Sequence, residues 1–390
     1  MTDIKALAAG QKDYVISLRR HFHMFPELGG EEYRTQEKVM EELKACGLSP
    51  RSAAGTGVIA EFTGGRPGKR VAIRADMDAL PLQDEIDQPY RSQHAGICHA
   101  CGHDGHTAML LGVAKSMKSL QAELAGSVRF LFQPSEEKFP GGAEAMIADG
   151  AMDGVDYVLG AHLWQAVPAG KIGVTYGRMM ASPDAFTLTI QGRGGHGSMP
   201  HQTVDPIFIG AQIVVALKTI TGCNMDPMEP AVLSLGMFKS GEAFNVIPDV
   251  AVIKGSVRTF QEATRQRIFE RIHQICQGIC QASGAQYKLD AIFGYPPVIN
   301  HPAISKVIAQ AGEQALGRDG VIEIVPVLGG EDFSFYLGKA PGAFMFVGAG
   351  NPEKGIVYPQ HHPKFDIDET ALPGGVEVLL RATLTLGGGR

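Results

Sequence analysis

The sequence predicts an α/β protein: a larger α/β domain interrupted by a smaller α+β domain. Three observations predict it. Strands and helices alternate from residue 58 to residue 163, and helix and strand patterns resume after residue 304. A self-contained β-α-β-β-α-β pattern lies between them. At 390 residues the chain is too long for one ordinary core.

The N-terminal stretch 3–25 carries Tyr14, Ile16, Leu18 and Phe22 at helical spacing and stops at Pro26. A second helix is expected over 31–46, ended by Gly47. Residues 58–62, 70–74, 127–133 and 157–163 read as strands, and 107–120 and 142–149 as helices. Such alternation implies a sheet with helices on both faces. After Ser182 the pattern changes. Residues 185–191, 231–238, 250–259 and 286–293 read as strands, with helices over 204–220 and 261–282. The flanks Met180-Ala181-Ser182-Pro183 and Gly294-Tyr295-Pro296-Pro297 read as hinges. The expected organisation is therefore 1–183 with 295–390 as the larger domain, and 184–294 as an inserted domain.

Composition narrows the function. The net charge of −6 argues against a nucleic-acid surface, which needs a basic stripe. No stretch is read as approaching the roughly 20 apolar residues of a membrane helix. The first fifteen residues lack a basic start followed by an apolar run, so no secretory signal is expected. Six cysteines without a dense framework fit a reducing cytoplasm.

Six places carry chemistry. His99-Ala100-Cys101-Gly102-His103-Asp104-Gly105-His106 packs four His or Cys into eight residues, just before a helix. With glycine between them, Cys101 and His103 can turn onto one ion. Thiolate with imidazole suits zinc, manganese, cobalt or nickel. Alone, the run is equally a polar loop. Residues 130–137 form a buried strand ending in Glu136-Glu137. Adjacent carboxylates on non-helical backbone point apart, so one can bind a metal while the other handles a proton. A lone Glu-Glu pair would more simply be a solvated turn. His162 lies near the end of an apolar strand, where a histidine is normally a satisfied core residue. His361-His362-Pro363 sits in a proline-rich loop. Arg74–Pro81 is another strand ending in carboxylates, and Gly194–His201 is a glycine-rich loop in the inserted domain. Together they supply nitrogen, oxygen and sulfur donors for two ions, mostly at strand ends, where α/β folds bind ligands.

Taken with Arg20-His21-Phe22-His23, Pro26-Glu27-Leu28, Asn245-Val246-Ile247-Pro248, Val257-Arg258-Thr259, Gly329–Phe333 and His361–Phe365, these motifs resemble the M20 metallopeptidase family. The resemblance runs through almost the whole chain. It is strongest to the branch of hippurate hydrolases, N-acyl-amino-acid amidohydrolases and auxin-conjugate hydrolases. It implies two divalent metal ions (Mn, Zn, Co or Ni) held by Cys101, His103, Glu137, His162 and His361. The residues alone leave His361 and His362 open; the family pattern favours His361. Glu136 matches the general base, and Asp78 the carboxylate that supports a metal ligand. His196 is implied to stabilise the oxyanion in a partner subunit's site, hence a homodimer or dimer-based oligomer, with 1–183 and 295–390 as the catalytic metal-binding domain and 184–294 as a lid or dimerisation domain. Asn245 and Arg258, with His201 behind them, are candidates for binding the substrate's carboxylate; Arg258 is equally an ordinary strand residue. His21, His23 and His99 are read as structural. Lys138-Phe139-Pro140 departs from the glycine-rich family pattern, which bears on substrate preference.

The expected activity is hydrolysis of N-acyl amino acids, with a dipeptidase or carboxypeptidase of the same family as the alternative. A dinucleotide-dependent oxidoreductase has only Gly55-Thr56-Gly57 in its favour, short of the full fingerprint. A non-catalytic metal-binding protein would not need Glu136 beside Glu137, or Asp78.

Overall fold

The computed structural model describes residues 2–388. The chain forms two compact units. The first holds the residues up to Met179, Ile299–Val325 and those from Asp332 onward; the second holds Met180–Val298 and Pro326–Glu331. The boundaries expected at 184 and 294 fall inside the second unit. Residues 326–331, expected in the larger domain, also group with it. The cause is backbone bonding: Ala181 N–H donates to Gly329 O, and Met180 bridges Val327.

The first unit opens with helices α1 (Ile4–Ala9), α2 (Lys12–Met24) and α3 (Tyr33–Ala45). The single helix expected over 3–25 is thus two, parted at Gly10 and Gln11. Strands β1 (Arg51–Ala53), β2 (Gly57–Thr63) and β3 (Arg66–Asp76) follow, then α4 (His103–Ser116), β4 (Ala125–Gln133), α5 (Ala143–Ala148), β5 (Tyr157–Pro168), β6 (Ile172–Val174) and β7 (Arg178–Met180). The second unit contributes β8 (Ser182–Gln191), β9 (Gly195–His196), α6 (Pro206–Thr219), β10 (Ala231–Ser240), β11 (Val246–Ile247), β12 (Val250–Thr259), α7 (Glu262–Ser283) and β13 (Gln286–Ile292). After β14 (Val298–Ile299) the chain returns through α8 (Pro302–Leu316), β15 (Val321–Glu323), α9 (Ser334–Leu337), β16 (Gly342–Gly350) and α10 (Leu372–Gly387).

Eight strands form the first unit's sheet, in the order β1-β2-β4-β3-β5-β16-β6-β15. Its centre, β4-β3-β5-β16, is parallel. A parallel centre is covered on both faces, so the middle of these strands is largely apolar. Val71, Ile73, Phe130, Phe132, Leu159, Phe344 and Phe346 are all buried. Helix α4 packs with α2, α10 and β3. It begins at His103, not near 107, so the end of the His/Cys run is helical. Gly102 caps it in a left-handed conformation, and Asp104 lies in its first turn, where a negative charge suits the helix dipole. Register sets the site. Asp76 stands opposite Gln133 and Arg74 opposite Gly160, so His162 on β5 comes level with the end of β3.

The second unit is built on a four-stranded antiparallel sheet, order β10-β12-β8-β13, with α6 and α7 packed on it. The element sequence β-α-β-β-α-β and this strand order make it ferredoxin-like. Residues Pro206–Asn224 have a mean hydropathy of 1.5 and the length to cross a bilayer, which corrects the reading that no segment approaches it. In the fold, Ile209, Ile213, Leu217 and Ile220 line its sheet-facing side. The unit's two ends are joined by Asp184, which is buried. It accepts from Arg265 Nε at 2.8 Å and from Gly294 N–H at 2.9 Å.

Replacing Asp184 by alanine strands the largely buried Arg265 guanidinium. Breaking such a pair costs about 3 kcal/mol. Calorimetry of Asp184→Ala is expected to show the second unit melting earlier, with the first unit's transition unmoved.

Candidate metal centre

Local backbone geometry brings the first donors together. Gly102, between Cys101 and His103, sits at φ +96°. Glycine takes this conformation without strain. A Cβ there would also meet the Leu163 Cβ at 3.2 Å. The bend lets both flanking side chains enter one cluster. Cys101 Sγ lies 3.4 Å from His162 Nε2. His361 arrives from a remote loop at φ +64°, anchored by its N–H to Ala100 O at 2.7 Å. Its Nε2 is 3.0 Å from Glu137 Oε1. The neighbouring His362 is engaged elsewhere. Its ring stacks on Tyr358, and its Nδ1 accepts the Lys364 N–H at 3.0 Å.

Among the described residues, the donor groups include Cys101–His103–His162, Cys101–Glu137–His361 and His103–Glu136–Glu137, each with its donor atoms within 4.8 Å of one another. The tautomers suit a metal. His103 Nδ1 lies 2.9 Å from Asp78 O, and His162 Nδ1 lies 2.8 Å from Leu163 O. A carbonyl oxygen only accepts, so each Nδ1 carries the proton and each Nε2 offers a lone pair. His103 Nε2 is buried and has no hydrogen-bond partner among the described residues.

The charges point the same way. Burial, then Glu137 and Glu136, push the Cys101 thiol well above its ordinary value. Burial, with His106 and His103 adding to it, pushes His162 well below, so it is neutral. Burial alone would pull His103 down, but Asp76 and Asp78 outweigh it and hold it up at about 10. A dication at Nε2 competes directly with that ring proton, and it favours the thiolate. Soft sulfur, imidazole nitrogen and carboxylate oxygen around an orphaned buried nitrogen therefore fit divalent ions of the zinc and manganese range.

A further layer holds these donors. Asp78 accepts the N–H of Glu136 through Oδ1 at 3.0 Å and that of Glu137 through Oδ2 at 2.9 Å. Its bond to His103 runs mainly through the backbone carbonyl, the carboxylate being 3.3 Å away. His106, unassigned from sequence, donates from Nδ1 to Asp76 Oδ1 at 2.6 Å and accepts the Leu163 N–H at Nε2, 2.7 Å away. Both its nitrogens are used, so the close trio Asp76–His103–His106 is a support. Asp76 also takes Arg74 Nη1 at 2.6 Å. Spacing could have indicated both residues: Asp76 alternates with Asp78 at a strand end, and His106 is one helical turn from His103. His23 is structural, between Asp104 at 2.7 Å and Asp84 at 3.2 Å. His99 is buried, and burial lowers it to about 3. His21 is half-buried on α2.

The remaining candidates lie in the second unit. Gly195–His196 pairs with Val246–Ile247, and Gly197 N–H donates to Asn245 O, so His196 and Asn245 share one loop cluster. His196 Nδ1 accepts the exposed Ser198 N–H at 3.1 Å. His201 is exposed nearby in the turn Pro200–Gln202. Arg258 is half-buried beside Pro183, whereas the loop cluster follows the other end of β8, where Gln191 faces Val250. At ~3.3 Å per residue the two ends are roughly 26 Å apart, so Arg258 and His196 of one chain do not meet.

The peptidase family M20/M25/M40 matches residues 72–385. An N-acyl-L-amino acid amidohydrolase of Geobacillus stearothermophilus is 50% identical over 319 residues, 82% of this chain and 86% of the relative. Thermostable carboxypeptidase 1 of Saccharolobus solfataricus is 41% identical over 368 residues, 93% of each chain. A solved dinuclear metal-binding M20 peptidase from Bacillus subtilis, 34% identical, superposes with a TM-score of 0.84 over 98% of this chain and 100% of that one. The chain belongs to peptidase family M20/M25/M40 and is a metal-dependent hydrolase of amide bonds.

Proposed function

We propose that the protein cleaves the amide of N-acyl amino acids, releasing the amino acid and the acyl carboxylate. The observation that carries the reading is the Glu136-Glu137 turn set against the Cys101, His103, His162 and His361 donors. Glu137 is committed to that cluster through His361 and His103. Glu136, buried at the same turn within the His103–Glu136–Glu137 group, is assigned the transfer of a proton from water to the departing amine. Divalent ions held by Cys101, His103, Glu137, His162 and His361 would supply an activated water and a polarised carbonyl. Asp78 keeps both glutamates aimed. The 50% identical amidohydrolase supports the acyl-amino-acid substrate. The 41% identical carboxypeptidase supports a second reading, a peptide substrate with a free C-terminal carboxylate.

Arg258 is assigned to the substrate carboxylate and His196 to the developing oxyanion, with Asn245 beside His196. Since Arg258 and His196 lie at opposite ends of one sheet, both act on one substrate only if two chains contribute. A homodimer through the second unit is the arrangement we favour. Strand β10 is an edge strand, and on the adjoining helix Phe208 and Val215 are 64% and 71% exposed. All six cysteines are free, which fits a reducing compartment, and we place the protein in the cytoplasm.

Three outcomes are expected. N-acetyl and N-benzoyl amino acids release free amino acid, turnover stops with a chelator, and added Mn²⁺ or Zn²⁺ restores it; chelator-resistant turnover contradicts the reading. Glu136→Ala keeps its metal by elemental analysis while kcat falls by about 10²–10⁴; loss of metal would reverse the two glutamates' roles. Val215→Asp shifts the mass seen by light scattering from dimer to monomer and lowers activity, whereas a wild-type monomer would exclude the shared site.

A further inference from the structure

We propose that Glu32 is a positioning residue for this reaction: with Asp78 it grips three consecutive backbone N–H groups and so fixes the turn that aims Glu136 and Glu137. Ser135 N–H donates to Glu32 Oε1 at 2.8 Å, Glu136 N–H to Asp78 Oδ1 at 3.0 Å, and Glu137 N–H to Asp78 Oδ2 at 2.9 Å. Ser135 has φ +55°, a left-handed conformation that costs a non-glycine residue on the order of 1 kcal/mol. Successive N–H groups around such a bend point into one concavity, an anion-binding nest. Here two carboxylates of the chain itself fill it, one from the end of β3 and one from the segment before α3.

Glu32 is fully buried and acts only as an acceptor. Its Oε2 takes the Gly30 N–H at 2.8 Å and the Thr56 hydroxyl. The segment that carries it is laced to the strand end that carries Asp78. Ala79 N–H donates to Glu27 O at 2.9 Å, and Leu28 bridges Ala79. Gly29 lies flush against the turn. A Cβ there would stand 3.0 Å from Ser135 Oγ and 3.2 Å from Asp78 Oδ2. The Pro26-Glu27-Leu28 motif and Glu32 thus form a brace under the two glutamates. In a folded chain without Glu32, the Ser135 N–H loses its acceptor and the strained bend can relax.

The kinetic part of this inference rests on the amide-hydrolase reading; the structural part does not. The test uses the full-length, metal-loaded protein with Glu32→Gln, whose amide sets a donor against the N–H groups. On N-acetyl amino acids, kcat is expected to fall about 10- to 100-fold with KM within about twofold, metal content unchanged. Hydrogen exchange followed by mass spectrometry, without substrate, is expected to quicken at least tenfold in residues 133–138 and to stay unchanged in α4. Unchanged exchange and unchanged kcat in folded Glu32→Gln overturn the proposal. So does a loss of kcat explained by lost metal. If Glu32→Gln does not fold, Thr56→Val, which removes one donor to Glu32, is read against Thr56→Ser, which keeps it. Equal kcat and equal exchange in those two overturn the proposal; slower turnover and faster exchange in Val alone support it. A wild-type protein that cleaves no N-acyl amino acid defeats the substrate reading, while the exchange result still decides the role of Glu32.

Discussion

Asp78 ties together three pieces of chain that are far apart in sequence. Its carboxylate receives the N–H groups of Glu136 and Glu137, and its carbonyl receives the His103 ring proton. Bonds to an ionised carboxylate are about twice as strong as neutral ones. One residue at the end of β3 therefore sets the direction of the turn after β4 and the tautomer at the start of α4. The donor cluster depends on this junction, since it fixes the backbone of both glutamates and the His103 ring at once. The cost is charge. Asp76, Asp78, Glu136, Glu137 and the Cys101 thiol are crowded together. Burial works against the anions of Asp76, Glu137 and Cys101, yet Arg74, His103 and His106 hold Asp76 well below its ordinary value and His361 with His103 lowers Glu137, whereas the Cys101 thiol stays raised.

The protein answers that crowding in two ways. Permanent cations neutralise the outer carboxylates: Arg74 lies between Asp76 and Asp332, and Arg19 binds Asp104. Glu137 faces His361 and His103 instead, and divalent ions at this cluster would balance the remaining charge. The outer pairs are therefore part of the fold, whereas the inner charge is conditional on loading. His106 marks the border, since both its nitrogens are consumed by Asp76 and Leu163 while its ring packs 4.5 Å from that of His162.

Much of this was legible in sequence, for identifiable reasons. Strands buried on both faces, such as 127–133, read as apolar runs, and β8 showed strict alternation because one face is covered. The sequence places the start of α4 too late because His103–His106 is polar and glycine-containing; all four residues are buried, with Gly105 against Leu163, Ile367 and Leu372, which leaves no helical period. The return segment 326–331 escaped notice because backbone bonds, which have no side-chain signature, attach it. Likewise, only tertiary contacts separate His361 from His362: Ala100 O holds one backbone and Tyr358 stacks on the other ring. Glu32 was invisible for the same reason. Its partner is a backbone N–H at position 135, and no pattern of residue types records that.

The joint at Asp184 has a consequence for how the chain assembles. Because Arg265 and Gly294 both meet this carboxylate, the second unit leaves by the door it entered. Once it has formed, the rest of the chain experiences a short bridge of a few residues in place of an excursion of about 110. Between β5 and β16 the connection shortens from about 170 residues to about 65, which by the logarithmic law of loop closure favours bringing them together by about 1 kcal/mol. The order of assembly is then implicit in the architecture: the inserted cassette closes first, and the parallel sheet that carries the donors closes over a gap already shortened for it.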